Sequence, residues 1–322
     1  MAKAGDLLRA RADVLAKILT REEGKNIAEA KGEVLKACNV LEFTASEARR
    51  PIGEVIPSEV PNTFLYTTRA PLGVVAVITP WNFPVCIPVW KIAPALLEGN
   101  AVIFKPASLT PATATFVTRT FEEAGLPPGV LNLVYGGGAT IGMALASDPR
   151  VHAISFTGSN DVGREVYARA ASRLARVQLE MGGKNPIIVL ADADLDRAIE
   201  ATVQGAFGST GQRCTATARA LVEKPVFESF RRKLIEKVRA IKVGDGLADP
   251  TAMGPVVDEK QYRSVLDAIE RAKKEGATVL CGGEPVGPGD GSRGYFIAPT
   301  VLDNVKPEMA VAREEVFGPV LC

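Results

Sequence analysis

The sequence predicts an α/β fold: a doubly wound parallel sheet, a second α/β unit and a small β arm. Three observations carry this prediction. From Pro71 onward, short uncharged runs such as Gly73-Val74-Val75-Ala76-Val77-Ile78 and Ala101-Val102-Ile103-Phe104 alternate with stretches of helical periodicity. Buried aliphatic runs separated by helices are what a parallel sheet covered on both faces requires. The 322 residues suffice for about two domains at roughly 150 residues each, and 30 Gly with 22 Pro supply many tight turns.

The elements follow in order. Leu7, Leu8, Val14, Leu15, Ile18 and Leu19 recur near helical spacing and predict a helix over 6–20, with another over 22–48 that stops at Arg50-Pro51-Ile52-Gly53. Residues 55–69 read as one or two extended strands, with Phe64 and Tyr66 on one face, too short for a domain and suited to an arm. Helices near 87–98, 111–124 and 139–147 separate strands at 73–78, 101–104, 130–135 and 153–156. Near Gly182-Gly183 the chain passes into the second unit, with a strand at 186–190 and a helix capped by Asp192 or Asp194 and running to Phe207. A strand near 220–222 and helices near 225–241 and 258–275 follow, the latter ending at Gly276. A turn-rich loop over 282–294 precedes a strand at Tyr295-Phe296-Ile297.

Composition excludes several function classes. Lys+Arg 38 against Asp+Glu 37 leaves no basic surplus for nucleic acid. The single histidine, His152, cannot build a His-based zinc site or serve a Ser-His-Asp or Cys-His mechanism, so no metal is expected. Five scattered cysteines without a Cys-x-x-Cys pair fit a reduced, cytoplasmic setting, and Met1-Ala2-Lys3-Ala4-Gly5-Asp6 lacks a signal peptide's apolar core. The uncharged stretch 70–90 is interrupted by Pro80, Asn82, Pro84 and Pro88, so no membrane span is expected.

Several segments have the chemistry of a site. The turns Gly136-Gly137-Gly138-Ala139-Thr140-Ile141-Gly142 and Phe156-Thr157-Gly158-Ser159 each join a strand to a helix, serving either as structural turns or as phosphate cradles. Cys214, in Ser209-Thr210-Gly211-Gln212-Arg213-Cys214-Thr215, has Gly211 to shape a turn and Arg213 to favour a thiolate; it is either a nucleophile or small core filling. Glu180, before Met181-Gly182-Gly183-Lys184, is either a strand-end partner of Lys184 or a partly buried base for water. Asn82 is either a turn former or an amide donor to an oxyanion.

Taken together, the chain resembles the aldehyde dehydrogenase superfamily. The likeness rests on Thr79-Pro80-Trp81-Asn82-Phe83-Pro84, Phe104-Lys105-Pro106-Ala107-Ser108, Phe156-Thr157-Gly158-Ser159, Leu179-Glu180-Met181-Gly182-Gly183-Lys184, Gly211-Gln212-Arg213-Cys214 and Glu314-Glu315-Val316-Phe317-Gly318-Pro319. It implies a cofactor domain over 1–52 and 71–182, an oligomerisation arm over 53–70 and a catalytic domain over 183–322 that is incomplete at its C-terminus. The catalytic set it implies is Cys214 as nucleophile, Glu180 as general base, Asn82 as oxyanion donor and Lys105.

The cofactor implied is NAD or NADP. By resemblance, Ile78, Thr79, Pro80, Trp81 and Asn82 line it, and Lys105, Pro106, Ala107 and Ser108 reach its adenosine side. Gly158 and Ser159 fall where its pyrophosphate meets a helix N-terminus, Met181 and Phe317 lie at its nicotinamide end, and Gly138, Gly142, Phe156, Thr157, Val162, Glu180, Gly182, Cys214 and Glu315 complete the cofactor-binding set. Lys105 and Glu315 match the holders of the two riboses. Ser108 stands where NAD-preferring members often carry Glu, so NADP is expected to be accepted.

The resemblance also implies a small-molecule aldehyde substrate and a homo-oligomer, dimer or tetramer. Trp90-Lys91-Ile92-Ala93-Pro94-Ala95-Leu96, Met181-Gly182-Gly183-Lys184-Asn185-Pro186 and Thr210-Gly211-Gln212-Arg213-Cys214-Thr215-Ala216 are similar to the branch acting on 2-oxoglutarate semialdehyde (2,5-dioxopentanoate), with succinate semialdehyde or aliphatic aldehydes as alternatives. Against the family, the chain is expected to be truncated at both ends. A second reading is therefore a catalytically impaired fragment that retains at most nucleotide binding. A third, a reductase passing its acyl group to coenzyme A or starting from an acyl phosphate, needs no water-activating base, and Glu180 argues against it.

Overall fold

The structure, a computed structural model, describes residues 1–248, 251–287 and 294–322. It divides into two compact units, one of Met1–Ala16 with Lys31–Met181, the other of Lys17–Ala30 with Gly182–Cys322.

The chain opens with helices α1 (Ala2–Ala10), α2 (Ala12–Glu23) and α3 (Ile27–Glu47), then a hairpin of β1 (Val55–Ile56) and β2 (Leu65–Tyr66). The rest of the first unit runs β3 (Val74–Ile78), α4 (Cys86–Leu97), β4 (Ala101–Lys105), α5 (Pro111–Glu123), β5 (Leu131–Leu133), α6 (Met143–Ser147), β6 (Ala153–Thr157), α7 (Asn160–Ala171) and β7 (Arg176–Glu180). Its five strands are all parallel, in the order β5-β4-β3-β6-β7. Winding starts at β3, proceeds to one side through β4 and β5, and resumes on the other side with β6 and β7. The carboxyl ends of β3 and β6 therefore flank the switch point, where open α/β sheets take ligands. Ala76, Ile78, Ile154, Phe156 and Val166 form a core cluster beneath them.

The second unit contains β8 (Asn185–Val189), α8 (Leu195–Phe207), β9 (Thr217–Val222), α9 (Lys224–Arg239), α10 (Glu259–Glu275), β10 (Thr278–Cys281), β11 (Thr300–Asp303), α11 (Ala310–Arg313) and β12 (Val320–Leu321). β8 pairs in parallel with β9, and β11 pairs antiparallel with β10 and in parallel with β12. Two bonds, Cys322 N to Ala218 O at 3.0 Å and Ala220 N to Cys322 O at 2.7 Å, join the two groups of strands. Asp194 rather than Asp192 caps α8, its Oδ1 accepting from Arg197 N at 3.2 Å, and α10 ends at Gly276 with φ 103°.

Three expectations are corrected. The helix expected over 6–20 is two helices, because Arg11 leaves the helical region at φ −112° and its side chain pairs with Glu123 of α5. The next helix begins at Ile27, since Gly24 adopts φ 96° and ends α2. The run Tyr295-Phe296-Ile297 is not a strand. It makes one bridge, Ile297 with Pro285, and the proline at that position cannot donate to a ladder. Of the loop expected over 282–294, residues 288–293 lie outside the described residues.

Candidate functional site

In the first unit the named residues fall on one edge of the sheet. Ladder register sets Lys105 beside Ile78, Ile78 beside Phe156, and Thr157 beside Glu180. Lys105, Ile78, Thr157 and Glu180 are the last residues of four adjacent strands, so these backbones end in a row across the switch point. Beyond Ile78, the turn Thr79-Pro80-Trp81-Asn82 leads into α4. That turn is anchored by the buried Glu33, whose Oε1 accepts from Val85 N at 2.8 Å and Cys86 N at 3.1 Å. A carboxylate there also favours the positive N-terminus of α4. Asn82 is 3% exposed.

Lys105 is buried; its Nζ donates to Pro106 O at 2.7 Å, and desolvation pulls its pKa below the usual lysine value. Ser108 and Gly138 are exposed, with Ala107 between Pro106 and Ser108 partly buried. Gly138 to Gly142 form one turn of π-helix leading into α6, and Gly142 is buried beside the Lys105 stem.

The β6–α7 turn has the features of an anion site. A Cβ on Gly158 would lie 2.5 Å from Phe156 Cζ, so only glycine fits over that ring. Ser159 is the N-cap of α7 yet makes no side-chain cap bond, and Val162 in the first turn is exposed. Gly163 lets α7 close on Met181, whose Sδ would be 2.4 Å from an added Cβ. The Oγ1 atoms of Thr79 and Thr157 are both buried and have no hydrogen-bond partner. Two orphaned hydroxyls at the ends of β3 and β6, with an uncapped helix N-terminus next to them, fit a dinucleotide at this edge.

Glu180 departs from expectation. Of its two readings it takes the strand-end one, exposed at the end of the edge strand β7, but its partner is Gln178, whose Nε2 donates to its Oε1 at 2.7 Å, and it is not partly buried. Lys91 was not singled out as a site residue. Its Nζ donates to Ser155 Oγ at 2.9 Å, Gln178 Oε1 at 3.0 Å and Phe156 O at 3.2 Å. Desolvation lowers its pKa to about 8, with the Glu180 carboxylate opposing the shift. The signal for it was present, as Lys91 is the only charged residue in α4.

In the second unit, Cys214 follows a run of left-handed backbone. Ser209, Thr210 and Gly211 adopt φ 50°, 58° and 68°, the first two without the freedom of glycine. The run is held from several sides. Glu29 Oε1 accepts from Ser209 N at 2.7 Å, Thr210 Oγ1 donates to Gly254 O at 3.0 Å, and Gln212 Oε1 accepts from Val257 N at 2.9 Å. Arg213 Nη2 donates to the Gln204 and Gly205 carbonyls, each at 2.7 Å, tying the turn to the end of α8. Asn185 Nδ2 holds Cys214 O at 2.7 Å and Ala216 O at 3.1 Å.

The Cys214 thiol is half-buried, and its thiolate and the Glu29 carboxylate both attract the Arg213 guanidinium. Glu315 lies at Gly182: its Oε1 accepts from Gly183 N at 3.4 Å, and burial raises its pKa against the pull of that bond and of Lys184. Phe317 has φ 55°, a left-handed residue that re-aims the segment after Glu315.

The turn, the sheet edge and the motifs define a family. The chain belongs to the aldehyde dehydrogenase family, whose sequence profile matches residues 1–322. It is 48% identical over 319 residues to alpha-ketoglutaric semialdehyde dehydrogenase of Bacillus subtilis (strain 168), which takes in 99% of this chain and 65% of that protein. Among solved structures, betaine aldehyde dehydrogenase of Staphylococcus aureus in complex with NAD+ matches with a TM-score of 0.97 and 36% identity, over 99% of this chain and 64% of that one. An NADP-dependent enzyme of E. coli matches with a TM-score of 0.95 and 38% identity, over 99% and 66%. The chain therefore spans a little under two thirds of the length of these relatives. Among the described residues, no helix is long and apolar enough to cross a membrane.

Proposed function

We propose that this chain carries the reacting groups of an NAD(P)-dependent aldehyde dehydrogenase that oxidises a semialdehyde, such as 2-oxoglutarate semialdehyde, to its carboxylic acid. The observation that carries the reading is the strained, many-sided support of the Cys214 turn, because such strain is retained where geometry serves chemistry. The substrate class is supported by the name of the Bacillus relative.

In this reading the Cys214 thiolate attacks the aldehyde carbon, and the oxyanion is received by the Asn82 amide and the Cys214 N–H. NAD or NADP, when bound, would supply the hydride acceptor for oxidation at the carbon attached to Cys214. Glu180 takes a proton from the water that cleaves the thioester, releasing acid and restoring the thiol. Lys105 and Glu315 hold the dinucleotide's riboses, and Ser159 with Gly158 receives its pyrophosphate. The exposed, apolar β1–β2 hairpin, with the Phe64 and Tyr66 rings in tilted contact 5.6 Å apart, supports a homo-oligomer, and five free cysteines support a reducing cytoplasm.

The test is aldehyde-dependent formation of NADH or NADPH by the purified 322-residue chain, with acid as product and loss of turnover in Cys214→Ala. Dinucleotide binding without turnover overturns the enzyme reading and leaves that of an impaired fragment.

A further inference from the structure

The left-handed run before Cys214 is expensive to hold. Two successive non-glycine residues are held in a region that L side chains disfavour, and both are buried, Ser209 at 5% and Thr210 at 1% exposure. A flexible loop would relax. The amide of the first residue is bonded to a carboxyl group 180 positions earlier in the chain.

Glu29 lies in the first turn of α3. Its own amide is fixed by Asn26 Oδ1 at 2.9 Å, and Asn26 Nδ2 is in turn bonded to Ala252 O at 2.9 Å. The carboxylate is therefore set in place before it meets the turn. Its Oε1 accepts from Ser209 N at 2.7 Å, a short charge-assisted bond, and lies 3.4 Å from the position a Gly208 Cβ would take, so the fit on both sides is close. Burial raises the Glu29 pKa, while the Ser209 N–H bond, Lys25 and Arg213 counter that shift and favour the ionised form.

We propose that Glu29 is a positioning residue for the nucleophile: by accepting the Ser209 amide hydrogen it holds the Ser209–Thr210–Gly211 run left-handed and so aims the Cys214 thiol. The proposal rests on the reading of Cys214 as the nucleophile. Glu29 acts through the backbone and takes no part in proton transfer, so its loss lowers the limiting rate of the fully ionised thiolate, the quantity that misaiming changes and that Arg213, near both Glu29 and Cys214, does not restore.

The test is the rate of Cys214 alkylation by iodoacetamide in the full chain, followed peptide by peptide by mass spectrometry across pH, with half-buried Cys281 as internal control. In Glu29→Ala the high-pH plateau for Cys214 is expected to fall about tenfold with the Cys281 rate unchanged, the loss expected for one charge-assisted bond. Glu29→Gln, whose amide oxygen still accepts, is expected to stay within about threefold of wild type. An unchanged plateau in Glu29→Ala, or Cys214 and Cys281 accelerating together as in general loosening, overturns the proposal. Should Glu29→Ala not fold, Glu29→Asp, one methylene too short to reach, is judged by the same criteria. The assay needs neither aldehyde nor dinucleotide, so a chain without turnover still reports on Glu29. A wild-type Cys214 no more reactive than Cys281 removes the nucleophile reading and this one with it.

Discussion

Gly211 backs directly onto the main chain of Gly318: a Cβ built on Gly211 would lie 2.1 Å from the Gly318 carbonyl oxygen. One side of this contact belongs to the Cys214 turn and the other to the segment bearing Glu315 and Phe317. Backbone touches backbone, so neither side can yield by changing a rotamer.

Gly211→Ala should therefore both clash and strain a residue at φ 68°. We expect a loss of about 2 kcal/mol or more, read as a lower urea midpoint, together with slower alkylation of Cys214. An unchanged midpoint would show that the two segments are free to separate.

Gly182→Ala meets a softer obstacle. The added Cβ would lie 1.9 Å from Glu315 Oε2, the end of a side chain that can swing away. Stability should change little, whereas loss of the Glu315 bond to Gly183 should weaken dinucleotide affinity about fivefold, the equivalent of about 1 kcal/mol. Titration calorimetry with NAD and NADP reads this directly.

Lys91 makes stability depend on pH. Below about 8 its ammonium is charged in folded and unfolded chains alike; between about 8 and 10.5 the unfolded chain still holds the proton that the folded chain has released. Stability should accordingly rise with pH across that window, by on the order of 3 kcal/mol at most. Lys91→Met should lack this rise in urea melts taken from pH 7 to pH 10, and a parallel profile for the two proteins would refute the assignment.

Ser108 bears on cofactor choice. It is exposed, its Oγ 3.5 Å from Gly136 O, and no carboxylate stands at this position to repel a 2′-phosphate. We expect measurable NADP reduction, and in Ser108→Glu a fall of about tenfold in kcat/KM for NADP with NAD largely spared. Absence of NADP turnover in the wild-type chain would contradict this.

What the sequence made legible was local. Alternating apolar runs and helical periods mark the strands from β3 onward, Gly276 marks the end of α10, and glycine-flanked motifs mark the turns. What escaped it depends on residues distant in sequence. Arg11 breaks a helix without any breaker residue, Ile297 meets a proline instead of a strand, and Glu29 bonds to Ser209 across 180 positions. For Glu180 the motif left a strand-end residue and a partly buried base both open; it is an exposed strand end, which depends on β7 lying at the edge of the sheet.

The segment Lys17–Ala30 belongs to the second unit although the rest of that unit begins at Gly182. Ile27 N bonds to Gly246 O and Asn26 to Ala252 O, partners more than two hundred positions later. On the ribosome this segment is made more than two hundred residues before those partners exist. Until then the segment, in which Lys25 and Glu23 are each 1% exposed when folded, lacks those two bonds. Nascent chains paused within β9 should thus be more sensitive to protease near Gly24 than finished ones, and a 182–322 fragment made alone would lack part of its own interior.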